Sequence, residues 1–167
     1  MSDSQNSQQR TYWQTALELP PDVFEAWRKP NRAINPVAIV ATVDADGMPR
    51  TAPFGSVRAI TPRLLRLATS RYHDTYRNLC RDGRVSVALV APPDISVSVR
   101  GRARVSKEQM SAYEQGAIVD IDIEQVKNDM VRTLVIETAI TVSPRAEFES
   151  WFDGVIGEVE DMQGKTA

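Results

Sequence analysis

The sequence predicts a mainly β fold with short helices, in the form of an antiparallel sheet or a small barrel. About six segments have the alternating or β-branched pattern of strands. The links between them are of hairpin length, which favours antiparallel pairing over a doubly wound sheet. The 167 residues, 42% apolar and 25% charged, have the composition of one globular domain.

The chain starts with a polar stretch of low complexity. We expect residues 1–20 to be a mostly disordered N-terminal segment and residues 21–157 to form the single domain. The domain opens with a short amphipathic helix that Asp22 caps and Pro30 ends.

A β-hairpin is the next predicted element. Residues 37–43 alternate between apolar and small or polar side chains, and residues 44–47 supply a tight turn. Residues 50–60 form the returning arm. Pro53 and Gly55 within this arm indicate a sheet edge, a bulge or the close approach of a ligand.

The middle of the chain predicts a strand, a helix and a further strand. Residues 64–69 form the first strand and residues 85–91 the second. Between them a helix starts at His73 or Asp74, either of which can cap it, and stops at Gly83.

The fifth strand has the clearest alternation in the chain. Residues 95–105 place apolar or small side chains on one face and serine or arginine on the other, ending with Arg100, Arg102 and Arg104. Acidic side chains later in the sequence can balance this face: Asp120, Asp122 and Glu124.

The last third is less regular. We expect short helices over residues 107–115 and 123–128 and a β-branched strand over residues 131–142. Residues 146–152 predict a helix whose aromatic side chains need a cover, and residues 158–167 predict a frayed tail.

The net charge of −2 hides a strong asymmetry. Residues 1–49, 50–104 and 105–167 carry −2, +8 and −8, and all the basic residues of the middle block are arginine. Arginine suits phosphate and carboxylate groups. The block therefore meets an anionic ligand or pairs with the acidic C-terminal block, within or between subunits.

Scarce cysteine and histidine exclude several kinds of site. Cys80 and His73 are single copies, which rules out an internal disulfide and a metal site with two or more Cys or His ligands. They also disfavour a Cys-His pair and a Ser-His-Asp triad. No stretch reaches the length of a spanning helix and no secretory signal is present, so we expect a cytoplasmic protein without membrane contact.

Five segments between residues 36 and 105 share their order and spacing with a known family: residues 37–49, 52–55, 67–70, 76–87 and 99–103. Together they resemble the pyridoxamine 5'-phosphate oxidase-like split β-barrel proteins, which bind flavin mononucleotide (FMN) at a dimer interface. The resemblance implies a six-stranded antiparallel split β-barrel, a two-fold homodimer and bound FMN.

The resemblance also implies a cofactor site. A strand that feeds a short helix offers backbone N–H groups and a positive dipole end to a phosphate, and a glycine lets a flat ring approach the backbone. The expected cofactor-binding residues are Arg50, Pro53, Phe54, Gly55, Ser56, Thr69, Ser70, Arg71, His73, Thr75 and Arg77.

The sequence departs from the family pattern at the phosphate. Where the family has a Ser-Arg-Lys run, this chain has His73, Asp74 and Thr75, and Asp74 would repel a phosphate unless it caps the helix. The family's arginine and lysine on the second strand fall opposite Ala52 and Val57.

The expected function is that of an FMN-binding oxidoreductase with an unknown substrate. Such a protein needs no acid or base of its own, because the flavin moves the electrons. One alternative keeps the fold and binds haem or a deazaflavin. The other alternative is a non-catalytic module that binds a partner through its arginine-rich face. The pI near 5.5 argues against it, because nucleic-acid-binding domains are typically basic. We expect a small-molecule ligand and no nucleic acid.

Overall fold

The computed structural model describes residues 13–161, which form eight β-strands and three α-helices. In chain order they are β1 (Thr15–Ala16), α1 (Pro21–Arg28), β2 (Ala38–Val43), β3 (Pro49–Phe54), β4 (Arg58–Thr61), β5 (Leu64–Ser70), α2 (Asp74–Arg81), β6 (Arg84–Ala91), β7 (Ile95–Lys107), β8 (Gly116–Asn128), a 3₁₀ turn (Ala146–Phe148) and α3 (Glu149–Asp161). The prediction of a mainly β fold is confirmed, with eight strands in place of six.

The strands form one antiparallel sheet in the order β3-β2-β6-β7-β8-β5-β4, and β1 pairs with the far end of β8. Within the described residues β3 and β4 do not pair with each other, so the barrel is split rather than closed. The edge position predicted for the Pro53 strand is confirmed, because β3 ends the sheet. Proline suits such a strand since it has no N–H to donate.

Alternation along the central strands builds the main core. In β2 and β6 every second side chain is buried, including Val40, Val87 and Leu89, and α1 adds Val23 and Trp27. A second apolar cluster lies under α3, from Ala68, Met110, Ile118, Val155 and Val159. Full burial of one such side chain stabilises the fold by about 1.5 to 3 kcal/mol.

The N-terminal prediction needs a correction. Residues 1–12 lie outside the described residues, but the second part of the segment predicted to be disordered is ordered against the sheet. β1 pairs with β8, Leu19 is buried, and its N–H donates to the carbonyl of Pro62 at 2.8 Å. A buried apolar anchor and a strand pairing hold this part in place.

The C-terminal boundary also differs from the prediction. Fraying was expected from residue 158, but α3 continues to Asp161 because Val159 is fully buried in the second cluster. Residues 162–167 lie outside the described residues.

Two predicted helices are wrong. Lys107 ends β7 and residues 108–115 form bends and turns, whereas residues 123–128 continue β8, where Ile123 pairs with Gly101 and Val126 pairs with Val99. The long neighbour β7 extends the pairing, and this tertiary contact outweighs the local pattern.

The strand predicted over residues 131–142 is also absent. The segment begins with a turn, in which Leu134 N donates to Val131 O at 3.1 Å, and it pairs with none of the described strands. Its backbone instead bonds to loops, from Ile136 N to Pro93 O at 2.8 Å and from Val37 N to Ile140 O at 2.9 Å. None of the described helices has the length and apolar character needed to span a bilayer.

Candidate functional site

A cavity of about 370 Å³ lies between the ends of β3 and β5, the start of α2, and α3. Its volume is in the range of small-molecule pockets, about 300–1,000 Å³. Seven of the eleven expected cofactor-binding residues line it: Pro53, Phe54, Gly55, Ser56, Thr69, Ser70 and His73. The structure thus brings together two segments that are separated in sequence.

The link from β5 to α2 positions the polar side of the cavity. The N–H of His73 donates to the carbonyl of Ser70 at 3.1 Å, and the Ser70 hydroxyl accepts from the N–H of Tyr72 at 3.2 Å. His73 caps α2, since its Nδ1 accepts from the N–H of Thr75 at 3.1 Å. The neutral ring therefore carries its proton on Nε2, which is left as a donor beside Phe54, 5.5 Å away between ring centroids.

Ser56 lines the cavity with its hydroxyl already engaged. Its Oγ donates to the carbonyl of Ala68 at 2.9 Å and accepts from the N–H of Ala68 at 3.1 Å. The side chain ties the β3–β4 turn to β5, so it fixes the shape of the cavity.

The structure gives a packing reason for the glycine at position 55. A Cβ at this position would lie 2.4 Å from Cγ2 of Ile34, so the glycine is required by packing against that side chain. Its carbonyl faces Lys29, whose Nζ donates to it at 2.7 Å.

Four expected site residues do not line the cavity. Arg50 pairs with a carboxylate of the β2–β3 turn, and Arg71 donates to the carbonyl of Glu114 at 3.0 Å. Thr75 is buried, and Arg77 is exposed on α2. Arg71 precedes α2 and Arg77 lies in the middle of it, so they stand on either side of His73 in the sequence.

Sequence reasoning missed most of the apolar lining. These residues are Ile34, Val37, Ala68, Tyr113, Val142, Trp151, Phe152, Val155 and Ile156. The one available signal was the aromatic C-terminal helix that needed a cover. In the structure α3 forms a wall of the cavity, and Phe148 and Trp151 stay 49% and 37% exposed.

A buried lysine, also missed, holds the floor of the cavity. Lys29 is 3% exposed, and its Nζ donates to the carbonyls of Pro36 and Gly55 at 2.9 and 2.7 Å. Burial, and then the charge of Arg58, lower the pKa of Lys29 from 10.5 to about 7.

Arg58 anchors α3 over the cavity. Its guanidinium is 1% exposed and donates through Nε to Glu160 at 3.1 Å, and through its Nη atoms to the carbonyls of Ser56 and Ala33. Burial lowers the pKa of Arg58, and Glu160 partly offsets this. All its donor groups have partners inside the chain.

The arginine face of β7 is balanced as predicted. Arg102 pairs with Glu124 at 3.3 Å, and Arg104 pairs with Asp122 at 3.0 Å across the β7–β8 ladder. On the neighbouring strand a buried pair, Arg66 with Asp120 at 2.6 Å, completes the row. Arginines of the middle block therefore pair with acids of the C-terminal block within one chain.

Comparisons with known proteins agree with this geometry. Residues 30–142 match the family model described as pyridoxamine 5'-phosphate oxidase. A search of curated proteins finds no match.

Solved structures share the fold. A candidate pyridoxamine 5'-phosphate oxidase from Lactobacillus delbrueckii is 23% identical, over 68% of this chain and 98% of its own, with a TM-score of 0.53. A variant of HupZ from Group A Streptococcus is 19% identical, over 65% and 97%, with a TM-score of 0.52. An F420 reductase is 13% identical, over 66% and 100%, with a TM-score of 0.53.

These low identities speak for the fold alone, whereas the family model covers more than half of the 167 residues. The chain belongs to the pyridoxamine 5'-phosphate oxidase family.

Proposed function

We propose that the protein binds FMN in the cavity between β3, β5 and α3 and serves as a flavin-dependent oxidoreductase. One observation carries the proposal. The segments through which the sequence resembles FMN-binding proteins, residues 52–55 and 67–70, come together with His73 around one cavity of suitable size. The substrate stays unidentified.

The lining suits a flat ring. Pro53 and Phe54 would give apolar contact on one face of the ring, and the other face would be directed towards α3, with space between them for a reaction partner. When bound, the isoalloxazine would supply hydride or electron transfer. The protein's part is to orient the ring, to exclude water from it and to offer the Nε2–H of His73 as a donor.

The phosphate belongs at the rim of the cavity, at the start of α2. None of the described residues that line the cavity is Asp, Glu, Lys or Arg. Thr69 and Ser70 would hold the phosphate through their hydroxyls, with backbone N–H groups of α2 and the guanidinium groups of Arg71 and Arg77 as further partners. His73 rather than Asp74 caps α2, so the proposal requires the exposed Asp74 side chain to point into water, away from the phosphate.

The proposal includes a two-fold dimer. Large apolar side chains are exposed along the extended segment before α3, including Val131 at 52%, Leu134 at 63% and Val135 at 72%. Several exposed apolar side chains within one segment favour a protein contact, and we assign this contact to a second copy. Light scattering at micromolar concentration should give twice the 18.6 kDa of one chain, and a monomer mass would contradict the dimer.

The first test of the proposal is the bound chromophore. The purified protein should be yellow, and acid extraction followed by mass spectrometry should identify FMN. A Soret band would indicate haem, and a deazaflavin mass would indicate that cofactor. Colourless protein that does not quench added FMN fluorescence would overturn the proposal.

A variant pair tests the position of the phosphate. T69V with S70A removes two hydroxyls at the end of β5, and we expect FMN affinity to fall by about tenfold or more, since each lost hydrogen bond contributes about 1 kcal/mol. T51V, on the exposed middle of β3, is the matched control and should bind as the wild type does. Equal affinity for all three proteins would place the phosphate elsewhere.

A further inference from the structure

The wall of the cavity that α3 forms lies outside the family region. The family match ends at residue 142, whereas α3 spans Glu149–Asp161 and contributes Trp151, Phe152 and Ile156 to the lining. The family match therefore says nothing about this wall. What the wall selects has to be inferred from its own side chains.

The wall is firmly built. Glu160 accepts from Arg58 Nε at 3.1 Å and from the N–H of Arg32 at 3.0 Å. Glu158 accepts from Lys107 Nζ at 2.6 Å, and from the N–H groups of Ser111 and Ala112 at 2.8 Å each. These bonds fix the C-terminal half of α3 and hold its apolar face against the cavity.

The exposed half of α3 presents an aromatic cluster. The ring of Trp151 lies 5.0 Å from that of Tyr113 and 4.8 Å from that of Phe152, both edge to face at 77°. Trp151 is 37% exposed although it lines the cavity, so part of its surface is open to a ligand. Such rings favour a planar aromatic partner.

Two buried cationic side chains behind the cavity already have hydrogen-bond partners inside the chain. Lys29 bonds to the carbonyls of Pro36 and Gly55, and Arg58 bonds to Glu160 and two carbonyls. Neither is among the residues that line the cavity. In the proposed function, Arg71 and Arg77 at the rim are occupied by the cofactor phosphate. Among the described residues that line the cavity beside α3 there is no Lys or Arg to meet a second anionic group.

We infer that Trp151, Phe152 and Tyr113 form a subsite for an uncharged, planar aromatic group, so the reaction partner of the cofactor belongs to that class and is not a phosphorylated compound. This inference rests on the proposed function for the role of the partner. The subsite itself depends only on α3 and the cavity.

The test uses two probes that differ only in a phosphate, 2-naphthol and 2-naphthyl phosphate. Equilibrium dialysis at pH 7 against the full chain, with and without added FMN, measures both. We expect 2-naphthol to bind at least about tenfold more tightly than its phosphate. Equal or tighter binding of 2-naphthyl phosphate to the FMN-loaded protein would overturn the inference.

Variants in and beside the wall locate the subsite. W151A should weaken 2-naphthol binding by about tenfold, and W151F should retain most of the affinity. F148A, an exposed aromatic in the turn before α3 that does not line the cavity, should match the wild type. If W151A binds 2-naphthol as F148A does, the subsite is not on α3. If the naphthol results are as expected but the wild-type protein does not bind FMN, the proposed function is wrong and the subsite still stands.

Discussion

The arginine face of β7 and the cavity beside α3 differ in charge: the face consists of paired charged side chains, and the described lining of the cavity is uncharged. On the face, Arg102 and Arg104 pair with acids of β8, and the row ends at the buried pair of Arg66 and Asp120. The described lining of the cavity has no charged side chain. The strongest charge pattern of the sequence therefore serves the pairing of strands, and none of these paired side chains is among the described residues that line the candidate ligand site.

The largest effect should come from breaking the buried pair. Asp120 accepts from Arg66 Nε at 2.6 Å and Nη2 at 3.1 Å, and both side chains are nearly inaccessible. D120N leaves the Arg66 charge buried beside a neutral group, so we expect the free energy of unfolding to fall by about 3 to 5 kcal/mol in urea titrations at pH 7. A loss below about 1 kcal/mol would show that water reaches Arg66.

A smaller loss should follow when α3 is loosened. E160Q keeps the shape of the side chain but removes the charge that meets buried Arg58, and we expect a loss of about 2 kcal/mol in unfolding free energy. E147Q, on the exposed turn before α3, is the control and should be neutral. Faster limited proteolysis within residues 149–161 of E160Q would locate the effect in α3, and equal rates would contradict it.

Lys29 gives the cavity floor a pH dependence. Its folded-state pKa is about 7 and its ordinary value is 10.5, so between these pH values the unfolded chain binds more protons than the folded one. The free energy of unfolding should rise with pH in this window, by at most about 1.4 kcal/mol per pH unit from this group. K29M should lack this rise.

Lys127 provides the matched control for that measurement. It is an exposed lysine at the end of β8, paired only with Asp129 at 3.3 Å. K127M should keep the wild-type slope between pH 7 and 10. A K29M slope equal to that of the wild type would mean that the Lys29 ammonium is not destabilised by burial.

The smallest effect should come from the exposed end of the arginine face. Arg102 and Glu124 are both more than half exposed, so water and salt screen their attraction. E124Q should change the free energy of unfolding by less than about 1 kcal/mol, and the change should shrink further at high salt. A loss as large as that of D120N would remove the distinction between the buried and exposed ends of the row.

Local pattern predicted the hairpin, the strands at β5, β6 and β7, and the helix that His73 caps. It did not predict β8, in which residues 123–128 pair with β7 residues that lie 22 to 31 positions earlier in the sequence. The segment 131–142 has a strand pattern but no described strand to pair with. Alternation shows which side chains share a face, but not whether a neighbour exists.

The candidate site was predicted to a similar degree. The segments around Phe54 and Ser70 were found because they carry the resemblance, and the structure brings them to one cavity. Lys29 and Trp151 were not assigned to the site, since they reach it from α1's end and from α3. Proximity of this kind arises from tertiary packing, which neither spacing nor composition encodes.

The helix α3 is one continuous segment that follows the barrel in the sequence. The side chains proposed to determine ligand selectivity can therefore be substituted without changing the strands that carry the cofactor segments. A graft of residues 149–161 with a different aromatic face, which keeps Glu158 and Glu160 as anchors, should yield a protein of the same shape with altered ligand preference.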